Sequence, residues 1–262
     1  MTSQLQVQND LAALPIRHID AELDPGYAQL RKIGLIVLST DLVSEDECRA
    51  MCPKDGVLIT ATRIHTTNPL TVMALQGHIG QIADAAARYD PIAEIHSFAY
   101  SCTSGSAVNR REDFDASLAS VGSSARLTSP LYGALEAFKT LGIKRVAMLT
   151  PYPDNVVQLM AQYLAVRGVE PVMLGSFHFD IDYEIMAIAP QAIFDAAVSL
   201  DVKEAEACFI PCTGLRTSSI IEKLERRLNK PVVTAHQAML WHALRLAGYP
   251  GPIDGFGRLM RH

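Results

Sequence analysis

The chain has 262 residues, of which 49% are apolar and 19% are charged, and its formal net charge is −5. This composition is too apolar for a disordered chain, and an acidic balance without a basic tract excludes a nucleic-acid partner. No run of about 18 uncharged apolar residues is present, so we expect no membrane span and no membrane partner.

Residues 1–24 are interpreted as an N-terminal arm, because this segment is mixed and polar and lacks the basic region and apolar run of a secretion signal. The five cysteines are an odd number without the spacing of a disulfide scaffold. They fit free thiols in a reducing compartment. We therefore expect a cytoplasmic protein.

From residue 32 onward, apolar runs alternate with segments of helical spacing. In the first half the pattern predicts a helix over 68–89 and strands over 32–39, 56–61 and 94–100. In the second half it predicts strands over 144–149, 170–174, 207–210 and 231–234, and helices over 128–141, 155–166, 190–200, 218–228 and 236–247. Such alternation predicts an α/β fold with right-handed crossovers and mostly parallel sheets.

Two similar motifs follow predicted strands: Ser-Cys-Thr-Ser-Gly at 101–105 and Pro-Cys-Thr-Gly at 211–214. A thiol at a strand end followed by Thr, Ser or Gly lies beside free backbone N–H groups, which lower a thiol pKa and bind carboxylates. Ligands of parallel sheets bind at the carboxyl ends of strands. We therefore predict two similar halves whose cysteines, Cys102 and Cys212, face one cleft as base or nucleophile and acid.

The residues around the two cysteines predict a cradle for an anion. Thr103, Ser104, Thr213 and Gly214 offer N–H and hydroxyl donors, although the same residues also serve as helix caps. Tyr152, in a Thr-Pro-Tyr-Pro-Asp segment after a strand, either donates to a substrate oxygen or packs against its neighbouring prolines.

Other polar residues at strand ends are more ambiguous. Asp41 follows the first strand and either caps a helix or contacts the substrate. The histidines at 65, 178 and 236 lie near strand ends and are weaker pocket candidates. We find no metal-ligand spacing and no nucleotide-binding loop, and Cys208 lies inside a strand as a core residue.

Four segments together resemble the aspartate/glutamate racemase superfamily: Tyr-Ser-Cys-Thr-Ser-Gly-Ser at 100–106, Pro-Tyr-Pro-Asp at 151–154, Pro-Cys-Thr-Gly-Leu-Arg-Thr at 211–217 and Pro-Val-Val-Thr-Ala-His-Gln-Ala at 231–238. The resembling branch contains maleate cis-trans isomerase, arylmalonate decarboxylase and the racemase-like proteins of ectoine utilisation. The resemblance extends from about residue 32 to the C-terminus and does not name a substrate.

The resemblance implies two Rossmann-like α/β lobes related by a pseudo-two-fold axis, with the active site between them. The first lobe would span residues 25–127 and 231–262, and the second would span 128–230. The resemblance implies Cys102 and Cys212 as the two catalytic cysteines, Tyr152 as a contact of the substrate carboxylate, and neither cofactor nor metal. We also expect a homo-oligomer.

Two positions depart from the maleate isomerase pattern. Thr40-Asp41 and Asp182-Tyr183-Glu184 stand where that branch has asparagines. An acidic Asp41 would repel a dicarboxylate and would suit a substrate that carries an ammonium or amide group. We therefore expect a racemase or isomerase of a small carboxylate, an amino acid or its derivative, of the ectoine-utilisation type.

Three alternatives remain at this stage. The first is a maleate cis-trans isomerase that forms a covalent cysteine adduct. The second is a ligand-binding protein without catalysis on a racemase fold. The third is a decarboxylase of the arylmalonate type, which the matched pair of cysteines disfavours because that reaction needs one working cysteine.

Overall fold

The computed structural model describes residues 16–67 and 71–262. Residues 1–15 of the expected arm and 68–70 of the predicted helix over 68–89 therefore lie outside the described residues. Residues 16–24 are exposed and have no regular secondary structure. No helix within the described ranges is long and apolar enough to cross a membrane.

Two four-stranded sheets form the centre of the molecule, and every strand pair in them is parallel. The first contains β1 (Arg31–Leu38), β2 (Val57–Ile64), β3 (Ser97–Ser101) and β4 (Arg126–Thr128). The second contains β5 (Arg145–Thr150), β6 (Glu170–Ser176), β7 (Ala207–Ile210) and β8 (Val232–Thr234). Their orders, β2-β1-β3-β4 and β6-β5-β7-β8, are equivalent. The predicted α/β class with two similar parallel sheets is confirmed.

Eleven α-helices are found in the described ranges. Those of the first half are α1 (Ser44–Met51), α2 (Val72–Gly77), α3 (Ile79–Ala87), α4 (Thr103–Val108) and α5 (Arg111–Ser120). Those of the second half are α6 (Pro130–Leu141), α7 (Asp154–Ala165), α8 (Asp182–Ala187), α9 (Pro190–Ser199), α10 (Ile221–Leu228) and α11 (Ala235–Leu246). The single helix predicted over 68–89 is thus two helices that meet at His78.

The boundary between the lobes differs from the sequence-based one at residue 231. The sequence predicts β8 in the first lobe, but this strand pairs with β7 in the second sheet, with Phe209 opposite Val233. The chain returns to the first lobe one element later, because α11 packs against β3, β4 and α1. A strand of only three residues pairs with the sheet edge nearest to it, whichever lobe the following helix covers.

Helices α6 and α11 cross closely at Gly133. A Cβ atom built on Gly133 would lie 2.4 Å from the carbonyl oxygen of Ala238. This close approach joins the lobes, since one apolar core contains residues of both sheets, including Leu35 of β1 and Phe209 of β7. The pocket between the lobes is therefore bounded by elements that share a core.

Replacing Gly133 by alanine is expected to lower the free energy of unfolding by about 1–3 kcal/mol, because the two helices must move apart. Urea denaturation measures this change. Gly80→Ala in α3 is the control, since a Cβ there meets nothing within 4 Å, and its expected effect is neutral or mildly stabilising. Equal midpoints for the two variants would contradict the close crossing.

Candidate active site

A small pocket lies between the carboxyl ends of the two sheets. Its lining contains all eight residues that the sequence predicted as catalytic or substrate-binding: Asp41, Cys102, Thr103, Ser104, Tyr152, Cys212, Thr213 and Gly214. Leu38, Thr40, Asp182, Ile185 and Met186 complete it. The volume of the pocket that the centre of a water molecule can occupy is about 40 Å³. Because one water needs about 10–15 Å³ by this measure, the pocket holds only a small ligand.

Cys102 is the N-cap of α4, directly after β3. Its sulfur accepts a hydrogen bond from the backbone N–H of Gly105 at 3.3 Å and lies 3.6 Å from the Ser104 hydroxyl oxygen. Burial raises the pKa of this thiol, and the hydrogen bonds from Gly105, Ser104 and Tyr100 oppose that rise. The backbone N–H groups at the helix end lower the pKa of Cys102, as expected, but the removal of the sulfur from water raises this pKa by more.

Cys212 has an equivalent setting in the second lobe. Its sulfur accepts the backbone N–H of Gly214 at 3.2 Å. Burial raises the pKa of this thiol to about 12, although hydrogen bonds from Tyr152 and Gly214 lower it. The charge of the Cys102 thiolate would raise the pKa of Cys212 further, which indicates that the two sulfurs share one electrostatic environment. Each lobe therefore supplies one buried thiol with one N–H donor and one tyrosine.

The Thr103 hydroxyl is a free donor in this lining. It is buried, and its Oγ1 has no hydrogen-bond partner within residues 16–67 and 71–262. A buried hydroxyl without a partner is costly, and a ligand oxygen in the pocket would satisfy it. This supports an anionic group beside Cys102.

Asp182, which in the sequence is only a departure from a family pattern, lies in the pocket lining. Its Oδ2 accepts a hydrogen bond from the Thr40 hydroxyl of the first lobe at 2.6 Å. Burial raises the pKa of the Asp182 carboxyl, while the bond from Thr40 lowers it. The pocket therefore contains an acidic group that bridges the two lobes.

Asp41 lines the pocket and also binds the N-terminal end of α1. Its Oδ1 accepts the backbone N–H groups of Val43 at 2.8 Å and Ser44 at 2.9 Å, and its Oδ2 accepts the Ser44 hydroxyl. Because this carboxylate is already engaged by three donors, Asp182 rather than Asp41 is the acid whose oxygens are better placed to distinguish substrates.

A buried polar network lies beneath the pocket and was missed by the sequence analysis. The Ser44 hydroxyl oxygen lies 2.7 Å from that of Ser101 and 2.9 Å from Nε2 of His236. The other ring nitrogen of His236 faces Glu47, with Nδ1 3.9 Å from Oε2. Of the three histidines considered as pocket candidates, only His236 is buried, and it lies below the pocket rather than in its lining.

Glu47 extends this network to the second lobe. Its Oε2 accepts the backbone N–H groups of Thr217 and Ser218, both at 2.8 Å, and its Oε1 accepts the Ser218 hydroxyl at 2.8 Å. A residue of α1 thus fixes the loop that follows Cys212. No local signal in the sequence indicates this contact, because the partners are 170 and 171 residues apart.

The other three cysteines lie away from the pocket lining. Cys48 and Cys208 are buried and Cys52 is half-buried, and burial raises the pKa of each of these thiols. Cys208 is a core residue of β7, as its position in a strand predicted.

The arylmalonate decarboxylase family model matches residues 99–260 of the chain. A maleate isomerase from Nocardia farcinica is 28% identical over 249 residues, which cover 88% of this chain and 96% of that protein. An arylmalonate decarboxylase from Bordetella bronchiseptica is 32% identical over 134 residues, which cover 48% of this chain and 53% of that protein.

Solved structures of a maleate isomerase and of an arylmalonate decarboxylase share the fold. A mutant of the Nocardia farcinica maleate cis-trans isomerase with a covalently bound succinylcysteine intermediate superimposes with a TM-score of 0.81 at 24% identity, covering 88% of this chain and 98% of that one. A double mutant of arylmalonate decarboxylase in its liganded form superimposes with a TM-score of 0.76 at 26% identity, covering 87% and 97%. The resemblance stated from the sequence is confirmed.

Glu47→Gln is expected to destabilise the fold by about 1–3 kcal/mol, because a neutral amide oxygen binds the two backbone N–H groups more weakly than a carboxylate, and the amide nitrogen cannot accept the Ser218 hydroxyl. Urea denaturation measures the loss. Glu45→Gln on the same helix is the matched control, since Glu45 makes partly exposed ion pairs with Arg49 and Arg63 that contribute at most about 1 kcal/mol. A Glu47 variant as stable as the Glu45 variant would contradict the anchoring role.

Proposed function

Since the chain belongs to the arylmalonate decarboxylase family, we propose that it is a cofactor-independent isomerase that acts on a small carboxylate through Cys102 and Cys212. The observation that carries the proposal is the presence of one buried thiol from each lobe in a single pocket. Two thiols on opposite sides of a carbon suit removal of a proton at one face and its return at the other.

The electrostatics of the pocket suit proton abstraction. A thiolate whose conjugate thiol has a raised pKa is a strong base, and α-protons of carboxylates are weakly acidic. One cysteine would take the α-proton while the opposite thiol donates its own, so that the substrate is inverted and the two cysteines exchange protonation states. The N–H groups of Gly105 and Gly214 and the hydroxyl of Tyr152 would stabilise the negative charges that form.

Asp182 supports an amino acid or an amino-acid derivative as the substrate. A carboxylate in a small pocket repels a second carboxylate of a ligand and attracts an ammonium or amide group. The unpaired Thr103 hydroxyl offers a donor to the substrate carboxylate on the Cys102 side. This combination favours a substrate of the kind expected for the ectoine-utilisation branch.

Cis-trans isomerisation is the second candidate, favoured by the maleate isomerase relative that covers 88% of the chain. In that reaction one thiolate adds to the double bond, the intermediate rotates about the resulting single bond, and the thiolate leaves. The sulfur would remain covalently bound to the ligand between the two steps.

Proton NMR in D₂O tests the proposal with a panel of α-amino acids, N-acetylated diamino acids and maleate. The wild type is expected to replace the α-proton of one class of substrate, and Cys102→Ser and Cys212→Ser are expected to lose this exchange. Cys52→Ser is the control, because Cys52 lies outside the pocket lining.

Three outcomes of that experiment separate the candidates. Full α-exchange in both serine variants would contradict the two-thiol reaction. Conversion of the maleate vinyl signal, together with a mass increase at either cysteine, would establish the cis-trans isomerase instead. No change across the panel in the wild type would contradict both candidates for these substrate classes.

Asp182→Asn is expected to lower kcat/KM for an ammonium- or amide-bearing substrate by about tenfold or more, which corresponds to about 1.4 kcal/mol. The same change is expected to tighten inhibition by maleate, because the repelling charge is gone while an oxygen remains to accept from Thr40. Tyr183→Phe on the same helix is the control, since Tyr183 is exposed. Weaker inhibition by maleate in Asp182→Asn would contradict this assignment.

A further inference from the structure

Two buried residues behind Cys102, Tyr100 and His78, have no role in the reaction described above. Nδ1 of His78 lies 2.6 Å from the Tyr100 hydroxyl oxygen, and Nε2 lies 3.0 Å from Oγ1 of Thr66. The Tyr100 hydroxyl also lies beside the Cys102 sulfur and lowers the pKa of that thiol. A row of polar groups therefore leads from the pocket thiol into the core of the first lobe.

The fold brings these residues together from three elements. Tyr100 precedes Cys102 by two positions, and alternate residues along an extended chain point to the same face. His78 lies at the break between α2 and α3, where its side chain faces β3. A Cβ on Gly105 would lie 2.0 Å from the Tyr100 hydroxyl oxygen and 3.1 Å from the Cys102 sulfur, so only glycine lets the tyrosine reach the thiol.

The second lobe has no equivalent of the imidazole. Tyr152 lowers the pKa of the Cys212 thiol as Tyr100 lowers that of Cys102. In the part of the chain that the structure describes, however, no histidine hydrogen-bonds to Tyr152. The two thiols therefore differ in what lies behind their tyrosines.

Few charged groups surround the polar groups that lead from Cys102 to His78. Burial lowers the pKa of His78 to about 4, and its neighbours Tyr100 and Thr66 are neutral. Tyr100 faces Cys102 and Tyr132, and Cys102 faces Asp182. Before any proton transfer we assign Nδ1 as the acceptor of the Tyr100 hydroxyl and Nε2–H as the donor to Thr66.

We propose that Tyr100 and His78 form a proton relay that receives the proton of Cys102. The S–H bond breaks as the proton passes to the Tyr100 oxygen, and the original Tyr100 proton passes to Nδ1 of His78. The sulfur keeps the electron pair of the broken bond, so the products are a thiolate and an imidazolium, with the tyrosine unchanged. Nε2–H continues to donate to Thr66.

Charge separation within the relay explains how a buried thiol ionises. A thiolate alone or an imidazolium alone is disfavoured by burial, whereas the pair formed together carries no net charge and is joined through one hydroxyl. Cys212 lacks the imidazole and keeps its proton. We therefore assign the Cys102 thiolate as the base that takes the substrate proton and the Cys212 thiol as the acid that donates one. This assignment rests on the proposed function.

The pH dependence of alkylation tests the relay without any substrate. An internal transfer releases no proton to solvent, so alkylation of Cys102 by iodoacetamide is expected to be nearly independent of pH between about pH 6 and pH 8. Alkylation of Cys212 requires loss of a proton to solvent and is expected to rise about tenfold per pH unit. Mass spectrometry of the two peptides at low conversion reports both thiols in one sample.

Two variants are expected to change the Cys102 profile and leave that of Cys212 unaltered. In His78→Gln and in Tyr100→Phe, alkylation of Cys102 is expected to rise about tenfold per pH unit and to be at least about tenfold slower at pH 7 than in the wild type. Combining the two changes is expected to add nothing, since either one interrupts the relay. His242→Gln is the control, because His242 is also buried and bonded to a threonine, Thr128, but has no contact with either thiol.

A steep profile for Cys102 in the wild type, or a flat profile retained in His78→Gln and Tyr100→Phe, would overturn the relay. These measurements separate the relay from the proposed function. A flat Cys102 profile without α-proton exchange in D₂O would support the relay and refute the racemase. Exchange of the α-proton together with a steep Cys102 profile would support the racemase and overturn the relay.

Discussion

The geometry of the pocket depends on a buried carboxylate that joins the two lobes. Glu47 of α1 accepts the N–H groups of Thr217 and Ser218, in the loop after Cys212. Its neighbour Ser44 contacts Ser101, the residue before Cys102. One helix of the first lobe therefore touches the chain next to both cysteines. Because these polar groups are buried, breaking any of the bonds would leave a donor or acceptor unsatisfied.

The shared core gives this network a rigid frame. The largest apolar cluster includes residues from both sheets and from the crossing helices α6 and α11. Close-packed interiors resist small displacements, so the separation of the two thiols is fixed by packing as well as by hydrogen bonds. The bond from Thr40 to Asp182 adds a third connection at the rim of the pocket. A ligand thus meets a site whose two halves are already aligned.

The sequence predicted the features that depend on neighbouring residues. Cys102 and Cys212 were found because a strand and a Thr-Ser-Gly or Thr-Gly segment flank each of them, and those signals are local. Strand β4 was missed because three residues, Arg126–Thr128, are too few to show a period. The lobe of β8 was misassigned because its partner, β7, is chosen by tertiary packing.

The missed site residues share one property, which is that their partners are distant in sequence. Glu47 gave no signal, and His78 lay in the middle of a predicted helix. Tyr100 was visible in the sequence only as the first residue of the motif at 100–106, and nothing local indicated a role for it. The direction of the thiol pKa shifts was also misjudged, because the sequence reveals N–H donors and not the extent of burial.

The equivalent strand orders explain why the halves present matching thiols, and the side chains behind those thiols explain how the halves differ. A symmetric pair of cysteines, each with a tyrosine and an N–H donor, would hold protons equally and would have no preferred resting state. His78 breaks that equality from within the core, where it does not alter the shape of the pocket. Asp182 breaks it from the rim, because Asp41 of the first lobe is engaged by three donors of its own helix end and Asp182 is not. The fold thus separates the two requirements: backbone symmetry places the thiols, and a few side chains outside the repeated motifs set the protonation of one thiol and the charge that a substrate meets.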